Sequence, residues 1–473
     1  YKSQFIMSIG IKIKKGLDLQ LAGAVADTSA KPRECPTATV AIVPDDFTGI
    51  IPRMELREGD PVATGQALFH SKTDEDLKVV SPAAGTLKAV VRGERRKIER
   101  VIVEVDGADA VTFPVKDVFD NADAARRLLL QSGQWAMMRQ RPFDIVPGAD
   151  AQFRDIFVTG FDLAPLAVSQ KHFSDADTDA LTAGVKLLGL LTSGNVYVSR
   201  NKEMKLPDLR GAVMVDIDGP YPASNAGTMI AAVKPVNKGE TVATLSLATL
   251  CRIGNLALTG RLDCSTTVAV TGSEVKEPCL IKTLIGAEIA PLIKGNIAED
   301  NSHKRIISGN VLTGEKVAAD GYLRAPYTQI TVIPEGDDVT EFMGWASLSP
   351  AKESVSPSFP GHFSRRLFKP DARLLGGRRA MIMSGQYDKV FPMDILPEYL
   401  LKAIIAKDID RMEQLGIYEV APEDFAAAEY VDTSKLELQK TCLLYTSPSP
   451  QGAFLTRARR PLQCSISPIK NKQ

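Results

Sequence analysis

Between residues 57 and 91 the chain reverses direction every few residues, and that spacing restricts what it can fold into. Arg57-Glu58-Gly59-Asp60-Pro61-Val62 reads as a turn. Gly59 accepts positive φ there, and Asp60 can hydrogen-bond the neighbouring backbone. Thr64-Gly65-Gln66 is a second turn, followed by the strand Ala67-Leu68-Phe69. From Val79 to Val91 a Pro/Gly turn (Ser81-Pro82-Ala83-Ala84-Gly85) separates two short strands. Repeated short strands and tight turns predict a small barrel or sandwich over residues 38–108, preceded by an N-terminal segment, 7–37.

Residues 109–255 switch to an α/β rhythm. Ala124 to Leu130 reads as helix, and Ile156-Phe157-Val158-Thr159 as a buried strand. In Asp175 to Thr192, Leu181, Val185, Leu188 and Leu191 recur at helical spacing and give one apolar face, with Gly194 as a stop. Val196-Tyr197-Val198 and Ala212-Val213-Met214-Val215 are further strands. Strand, helix and strand in that order predict a parallel, Rossmann-like sheet. Its first loop, Gly160-Phe161-Asp162-Leu163-Ala164-Pro165, lacks GxGxxG. Phe161 and Pro165 crowd the place where a pyrophosphate needs bare backbone, so no nucleotide is expected.

One loop here can meet a ligand. Two glycines and two prolines (Gly219, Pro220, Pro222, Gly227) fix an irregular path, and Tyr221, Ser224 and Asn225 supply polar groups. A rigid connection between elements is the plainer alternative. Val236 to Thr244 echoes Glu58 to Thr64, which reads as shared turn chemistry.

Residues 256–332 read as a β-grasp module: a strand Thr267 to Thr271, a helix around Gly286 to Lys294, then Lys304 to Gly314 as strand and turn. Arg305, with Ser308, Gly309 and Gly314, forms a second candidate loop; Lys304 and Arg305 there could hold an anion, and solvated strand-end charges are the plainer alternative. Residues 333–440 read as α-rich, with Leu401, Ile405, Ile409 and Met412 striping one helix that stops at Gly416.

The 57 Lys+Arg balance 57 Asp+Glu, which argues against a nucleic-acid binder driven by counterion release. No apolar run approaches the roughly 18 residues of a membrane span. Tyr1 to Ile6 lack the apolar core of a secretory signal. The six cysteines (Cys35, Cys251, Cys264, Cys279, Cys442, Cys464) and four histidines (His70, His172, His303, His362) show no metal spacing.

The barrel pattern E-G-D-x-V-x-x-G-Q-x-L-F followed by S-P-x-x-G-T-L-x-x-V resembles biotinyl/lipoyl domains. The flanks of Lys72 and Lys78 do not match a carrier lysine, so the barrel reads as structural. Further motifs are Ile11 to Leu19, Gly93-Glu94-Arg95-Arg96, Arg141 to Pro147, the Gly219–Gly227 loop, Pro235 to Glu240 and Ile307 to Gly314. With them the sequence resembles the NqrA family, one of the subunits of the sodium-translocating NADH:quinone oxidoreductase. The resemblance covers about residues 7–440. A related component of the Rnf complex shares the barrel and β-grasp (SLBB-like) part but would add CxxCxxC ligands, absent here. The family loop usually reads Gly-Pro-His-Pro; Tyr221 stands at the histidine position.

The resemblance implies a peripheral subunit on the cytoplasmic face of the bacterial inner membrane, without independent catalysis, in a complex that oxidises NADH, reduces ubiquinone and exports sodium. FAD, FMN, riboflavin and an iron–sulfur cluster are implied in other subunits and no cofactor in this one. Its partners would be those subunits, the integral flavin-bearing one first, and ubiquinone. A stand-alone carrier or binding protein is the alternative. Residues 441–473 carry five basic residues and no acid, with Ser447-Pro448-Ser449-Pro450. They read as a non-native tail, or else as a basic extension toward anionic lipid. Met7 reads as the native start. Without residues 441–473, 52 basic residues face 57 acidic ones.

Overall fold

The computed structural model describes residues 8–169, 173–300, 302–339 and 348–446. Tyr1 to Met7, His172 and the tail from residue 447 onward lie outside the described residues.

The N-terminal stretch is shared between two sheets. β1 (Ser8–Lys12) is an edge strand of the central α/β sheet, pairing in parallel with residues Met214 to Asp218. β2 (Arg33–Glu34) pairs with the later β-grasp sheet. The sequence suggests a separate segment over 7–37; its backbone donors and acceptors instead find partners in elements far along the chain.

The barrel follows as β3 (Thr39–Ile42), β4 (Pro52–Met54), β5 (Pro61–Val62), β6 (Ala67–Ser71), β7 (Asp74–Val80), β8 (Gly85–Arg92) and β9 (Ile98–Val105). Two sheets, β3-β9-β8-β5 and β4-β6-β7, enclose Leu68, Phe69, Leu77, Leu87, Val101 and Val103. Gly59 and Gly65 take positive φ at the two turns read from the sequence.

The α/β domain contains α1 (Ala122–Gln131), β10 (Arg139–Arg141), β11 (Ile156–Thr159), α2 (Asp175–Gly189), β12 (Val196–Arg200), β13 (Ala212–Asp218), α3 (Ala226–Val233), β14 (Val242–Ser246) and α4 (Leu247–Thr259). The sheet order is β1-β13-β12-β11-β14-β10, parallel except for β10. Ser174 and Asp177 form a capping box that starts α2. Leu181, Val185 and Leu188 are buried as the spacing predicts. Against expectation, α2 ends at Gly189 and not at Gly194. A Cβ on Gly194 would lie 2.2 Å from Asp155 Oδ1, so that glycine serves a close approach, not a helix stop. α2 and α4 cross through glycine: a Cβ on Gly254 would lie 1.7 Å from the Ala180 carbonyl. The boundary expected between 255 and 256 falls inside α4.

The β-grasp module comprises β15 (Ser265–Thr271), β16 (Cys279–Leu284), α5 (Ile289–Ile293), β17 (Lys304–Ser308), β18 (Glu315–Val317) and β19 (Gln329–Pro334). Its sheet order is β18-β17-β19-β15-β16-β2.

The α-rich part holds α6 (Tyr387–Val390), α7 (Pro397–Ala406), α8 (Ile409–Gln414), α9 (Ala426–Val431) and α10 (Leu438–Thr446). The single striped helix expected over 401–412 is two helices. Lys407 adopts left-handed backbone (φ 57°), and the Asp408 side chain accepts from Arg411 N to start α8. Leu401 and Met412 are buried, but Ile405 is exposed. The tail expected to begin at 441 starts within α10, where Cys442 is fully buried.

One apolar core runs continuously from the barrel through the α/β domain. The helical part and the β-grasp module have their own clusters.

Candidate functional site

The chain leaves β11 toward β12 on one side, and returns through β13 and α3 to β14 on the other. The carboxyl ends of β11 and β14 therefore form the topological switch point where open α/β sheets place their ligands. Here the loop after β11 occupies that position. Gly160 N donates to Ser199 Oγ at 3.0 Å, and a Cβ on Gly160 would lie 1.9 Å from the Ser199 carbonyl. Phe161 is buried. Leu163 N donates to Ser224 Oγ (3.0 Å), and Gln329 Nε2 of the β-grasp module donates to the Pro165 carbonyl (3.2 Å). With its backbone so engaged, this loop does not fit a dinucleotide pyrophosphate.

The Gly219–Gly227 loop meets it from the end of β13. A Cβ on Gly219 would lie 2.5 Å from the Ile13 carbonyl, and Leu17 N donates to the Tyr221 carbonyl (2.7 Å). The Tyr221–Pro222 peptide is cis. Tyr221 is 5% exposed and belongs to the helical part's core, the cluster that also takes in Leu163, Ala164, Phe143 and Leu17. Burial pushes its phenol well above the ordinary range, and Asn225 offsets only part of that. Asn225 Nδ2 donates to the Glu423 carbonyl at 3.3 Å. Pro220 and Pro222 accept from Ala223 N and Thr228 Oγ1. Thus Ser224 is taken up by the β11 loop, Asn225 by the helical part, and Tyr221 by an apolar seat.

Beneath this loop lies a charged group that sequence reasoning missed. Arg141, at the end of edge strand β10, is 1% exposed. Its Nη1 bonds Asp424 Oδ2 (3.1 Å), its Nη2 bonds Glu423 Oε1 (2.7 Å), and its Nε lies 3.7 Å from Asp144 Oδ1. Asp424 Oδ2 also accepts from Ala421 N (2.8 Å), whereas Oδ1 has no donor among the described residues. Burial raises the Asp424 carboxyl and Arg141 pulls it back, with a net rise. Burial works to lower the Arg141 pKa, but Asp424, Asp144 and Glu423 outweigh it and raise it. A Cβ on Gly227 would lie 2.4 Å from Asp424 Oδ1, so only glycine lets α3 approach this carboxylate. Arg141-Pro142 and Pro422-Glu423-Asp424 are nearly three hundred residues apart, and neither stretch shows the pairing alone.

The second candidate loop is brought to the same helical part. Leu312 packs against its core, and Gln439 Nε2 donates to the Leu312 carbonyl (3.0 Å). Arg305 points elsewhere: it forms a two-pronged pair with Glu335 (2.9 and 2.5 Å), which Lys316 also reaches (2.9 Å). Ser308 is buried and accepts from Arg324 N (3.0 Å). Gly309 has φ 105°, and a Cβ there would lie 2.9 Å from the Tyr327 ring; one on Gly314 would lie 2.5 Å from the Asn310 carbonyl. These two glycines close the loop on itself.

On the barrel, Lys72 is exposed in the two-residue turn joining β6 to β7, with its N–H held by the Ile51 carbonyl (2.7 Å). Asp74 accepts from Ala149 N (3.2 Å), which fixes the hairpin to the α/β domain. Lys78 faces Glu55 at 3.6 Å. A shallow depression of about 620 Å³ lies beside it, lined by Glu55, Arg57, Glu58 and Arg92. Among the described residues no group of three or more His, Cys, Asp or Glu is placed to hold a metal. Burial lifts the Cys251 thiol to about 11 and the Cys264 thiol to about 12, which disfavours the thiolate that metals bind.

Three family models match in order. They are the NqrA N-terminal barrel-sandwich hybrid domain over residues 11–106, the NqrA second alpha/beta domain over 121–262, and the NQRA C-terminal (SLBB) domain over 267–319. The chain is 35% identical over 439 residues to the NqrA subunit of the Na(+)-translocating NADH-quinone reductase of Neisseria meningitidis, covering 90% of this chain and 96% of that protein. Against the corresponding subunit of Pasteurella multocida it is 34% identical over 438 residues, with the same coverage. Both relatives are named as subunits, which places a chain of this barrel, α/β and β-grasp build in the class of components of a larger assembly. The chain belongs to the NqrA family of Na(+)-translocating NADH-quinone reductase subunits.

Proposed function

We infer that the chain acts as a peripheral subunit of a sodium-exporting NADH:quinone oxidoreductase, docked at the cytoplasmic face on the integral flavin-bearing subunit. The observation that carries this is the family match across nine-tenths of the chain. No helix among the described residues is long and apolar enough to cross a membrane, which suits a peripheral place. NADH, FAD, FMN, riboflavin and iron–sulfur chemistry belong to the other subunits in this reading. The engaged β11 loop and the buried thiols argue for that division.

The chain's own contribution is to quinone binding. Its seat is the Gly219–Gly227 loop, which follows β13 and packs against the helical part. An apolar surround of Leu163, Ala164, Phe143 and Leu17 with the Tyr221 hydroxyl and Asn225 beside it has the make-up of a quinone slot. The Gly309–Gly314 loop borders the same helical part. An azido-quinone is expected to label the full chain within or next to residues 219–227, and ubiquinone is expected to compete it away. Labelling that ubiquinone does not reduce, or that maps away from these loops, overturns the quinone reading.

The exposure of Lys72 at a hairpin tip favours one other reading, that of a carrier barrel. Intact mass of the purified chain decides it: an added biotinyl or lipoyl mass on Lys72 or Lys78 would replace the subunit reading.

A further inference from the structure

From Gly361 to Met383 the chain crosses the surface as an irregular strap, with no α-helix or strand between Ser364 and Gln386. Its backbone is nevertheless fixed. Phe368 is buried and exchanges hydrogen bonds with Gln20 and Ala22 (both 2.8 Å). Ala372 N donates to the Pro334 carbonyl (3.1 Å), and Arg379 N to the Ser434 carbonyl (2.9 Å). The strap thus joins the N-terminal stretch, the end of the β-grasp sheet and the helical part.

What it shows to solvent is unusual. Phe363, Leu367, Leu374, Leu375, Ile382 and Met383 are all exposed, Phe363 at 72% and Leu367 at 66%. These six make up two-fifths of the fifteen exposed large apolar side chains among the described residues. Interleaved with them are five arginines, one lysine and a single acid, Asp371. Arg373 pairs with Asp371 and Arg378 with Glu437. Arg365, Arg366, Lys369 and Arg379 have no carboxylate at ion-pair distance among the described residues.

We propose that the 361–383 strap is the docking surface for an acidic, apolar-bearing protein segment of the membrane-embedded partner. This rests on the subunit reading above and names the surface and partner chemistry it needs. Exposed apolar side chains concentrated on one short stretch of chain mark an interaction site. Arginine, phenylalanine and methionine are the residues protein interfaces concentrate, whereas lysine is depleted there. A lipid surface is the weaker occupant: the strap lacks the amphipathic helix and lysine-rich composition of membrane-surface anchors. Charge complementarity calls for aspartate and glutamate on the partner, and the backbone anchors lower the entropy lost when the strap is ordered on binding.

The test uses the full chain and membranes that carry the other subunits but lack this one. Wild-type chain is expected to rebind, more weakly as salt rises. The charge-reversed Arg365→Glu/Arg366→Glu/Lys369→Glu chain is expected to rebind about tenfold less tightly or worse. Leu367→Ser/Leu374→Ser is expected to lose affinity with its salt dependence unchanged. Both should keep the wild-type circular dichroism and melting temperature, because these side chains are exposed. Wild-type and both variants rebinding alike overturns the strap alone. Wild-type chain that fails to rebind overturns the subunit reading and the strap with it. Strap-dependent binding to protein-free anionic phospholipid vesicles, as tight as to the subunit-bearing membranes, overturns the protein partner.

Discussion

Arg141 and Asp424 stand 283 residues apart in the chain and meet at 3.1 Å in the interior. One belongs to the edge of the α/β sheet and the other to the helical part, so their contact is one joint between the two.

Removing one member of this joint leaves charge stranded. Arg141→Leu deprives Asp424, Glu423 and Asp144 of their common cation. The expected loss is about 3–5 kcal/mol of stability, as for other broken buried pairs. Asp424→Asn leaves Arg141 two carboxylates and is expected to cost about 1–3 kcal/mol. Urea unfolding measures both. An Arg141→Leu chain within about 1 kcal/mol of wild type would show that the joint contributes little.

Gly227 and Asp424 should be energetically coupled. A Cβ on Gly227 meets the carboxylate at 2.4 Å and must displace it or tilt α3. Gly227→Ala is expected to destabilise by about 1–3 kcal/mol. In an Asp424→Ala background the same change should cost at least about 1 kcal/mol less. Additive losses in the double-mutant cycle would contradict this contact.

Glu353 contributes a pH response to the helical part. Burial raises Glu353 from 4.5 to about 7, and the Tyr430 hydroxyl donates to it. A carboxyl whose folded pKa is raised stabilises the protein most when protonated. That contribution is complete below about 4.5 and fades as pH climbs through about 7. Melting temperatures of wild type and Glu353→Gln across that window should converge at low pH, with the wild type falling further as pH rises. Parallel curves would remove Glu353 as the source.

The break between α7 and α8 has its own signature. Leu401→Ala is expected to cost about 2–5 kcal/mol, because Leu401 is fully buried. Ile405→Ala, at an exposed position, is expected to stay within about 0.5 kcal/mol. Asp408→Ala removes the cap of α8 at a cost of about 1 kcal/mol. Equal losses at 401 and 405 would restore the continuous stripe.

These helices show where sequence reasoning holds and where it stops. Periodicity places Leu181, Val185 and Leu188 on a buried face because local helical spacing decides which side chains meet. The same periodicity mistakes Ile405 for core: the buried face of α7 runs through Leu400, Leu401 and Ile404, and the left-handed Lys407 ends that helix before Ile409. The barrel turns are legible since Gly59 and Gly65 carry the conformations themselves. Gly194 and Gly227 are not, since their reason is a carboxylate brought close by another part of the chain. The Gly219–Gly227 loop is visible as irregular backbone, but Arg141 and Asp424 become its neighbours only after folding.

The edge strand β1 carries a consequence for synthesis. Ser8 pairs with Met214 and Lys12 with Asp218, so this strand's partners are translated some two hundred positions later. At roughly 5–20 residues per second the nascent strand waits about 10–40 s for its mate. Throughout that interval the backbone donors and acceptors of β1 are unpaired, a template for pairing with a neighbouring nascent chain.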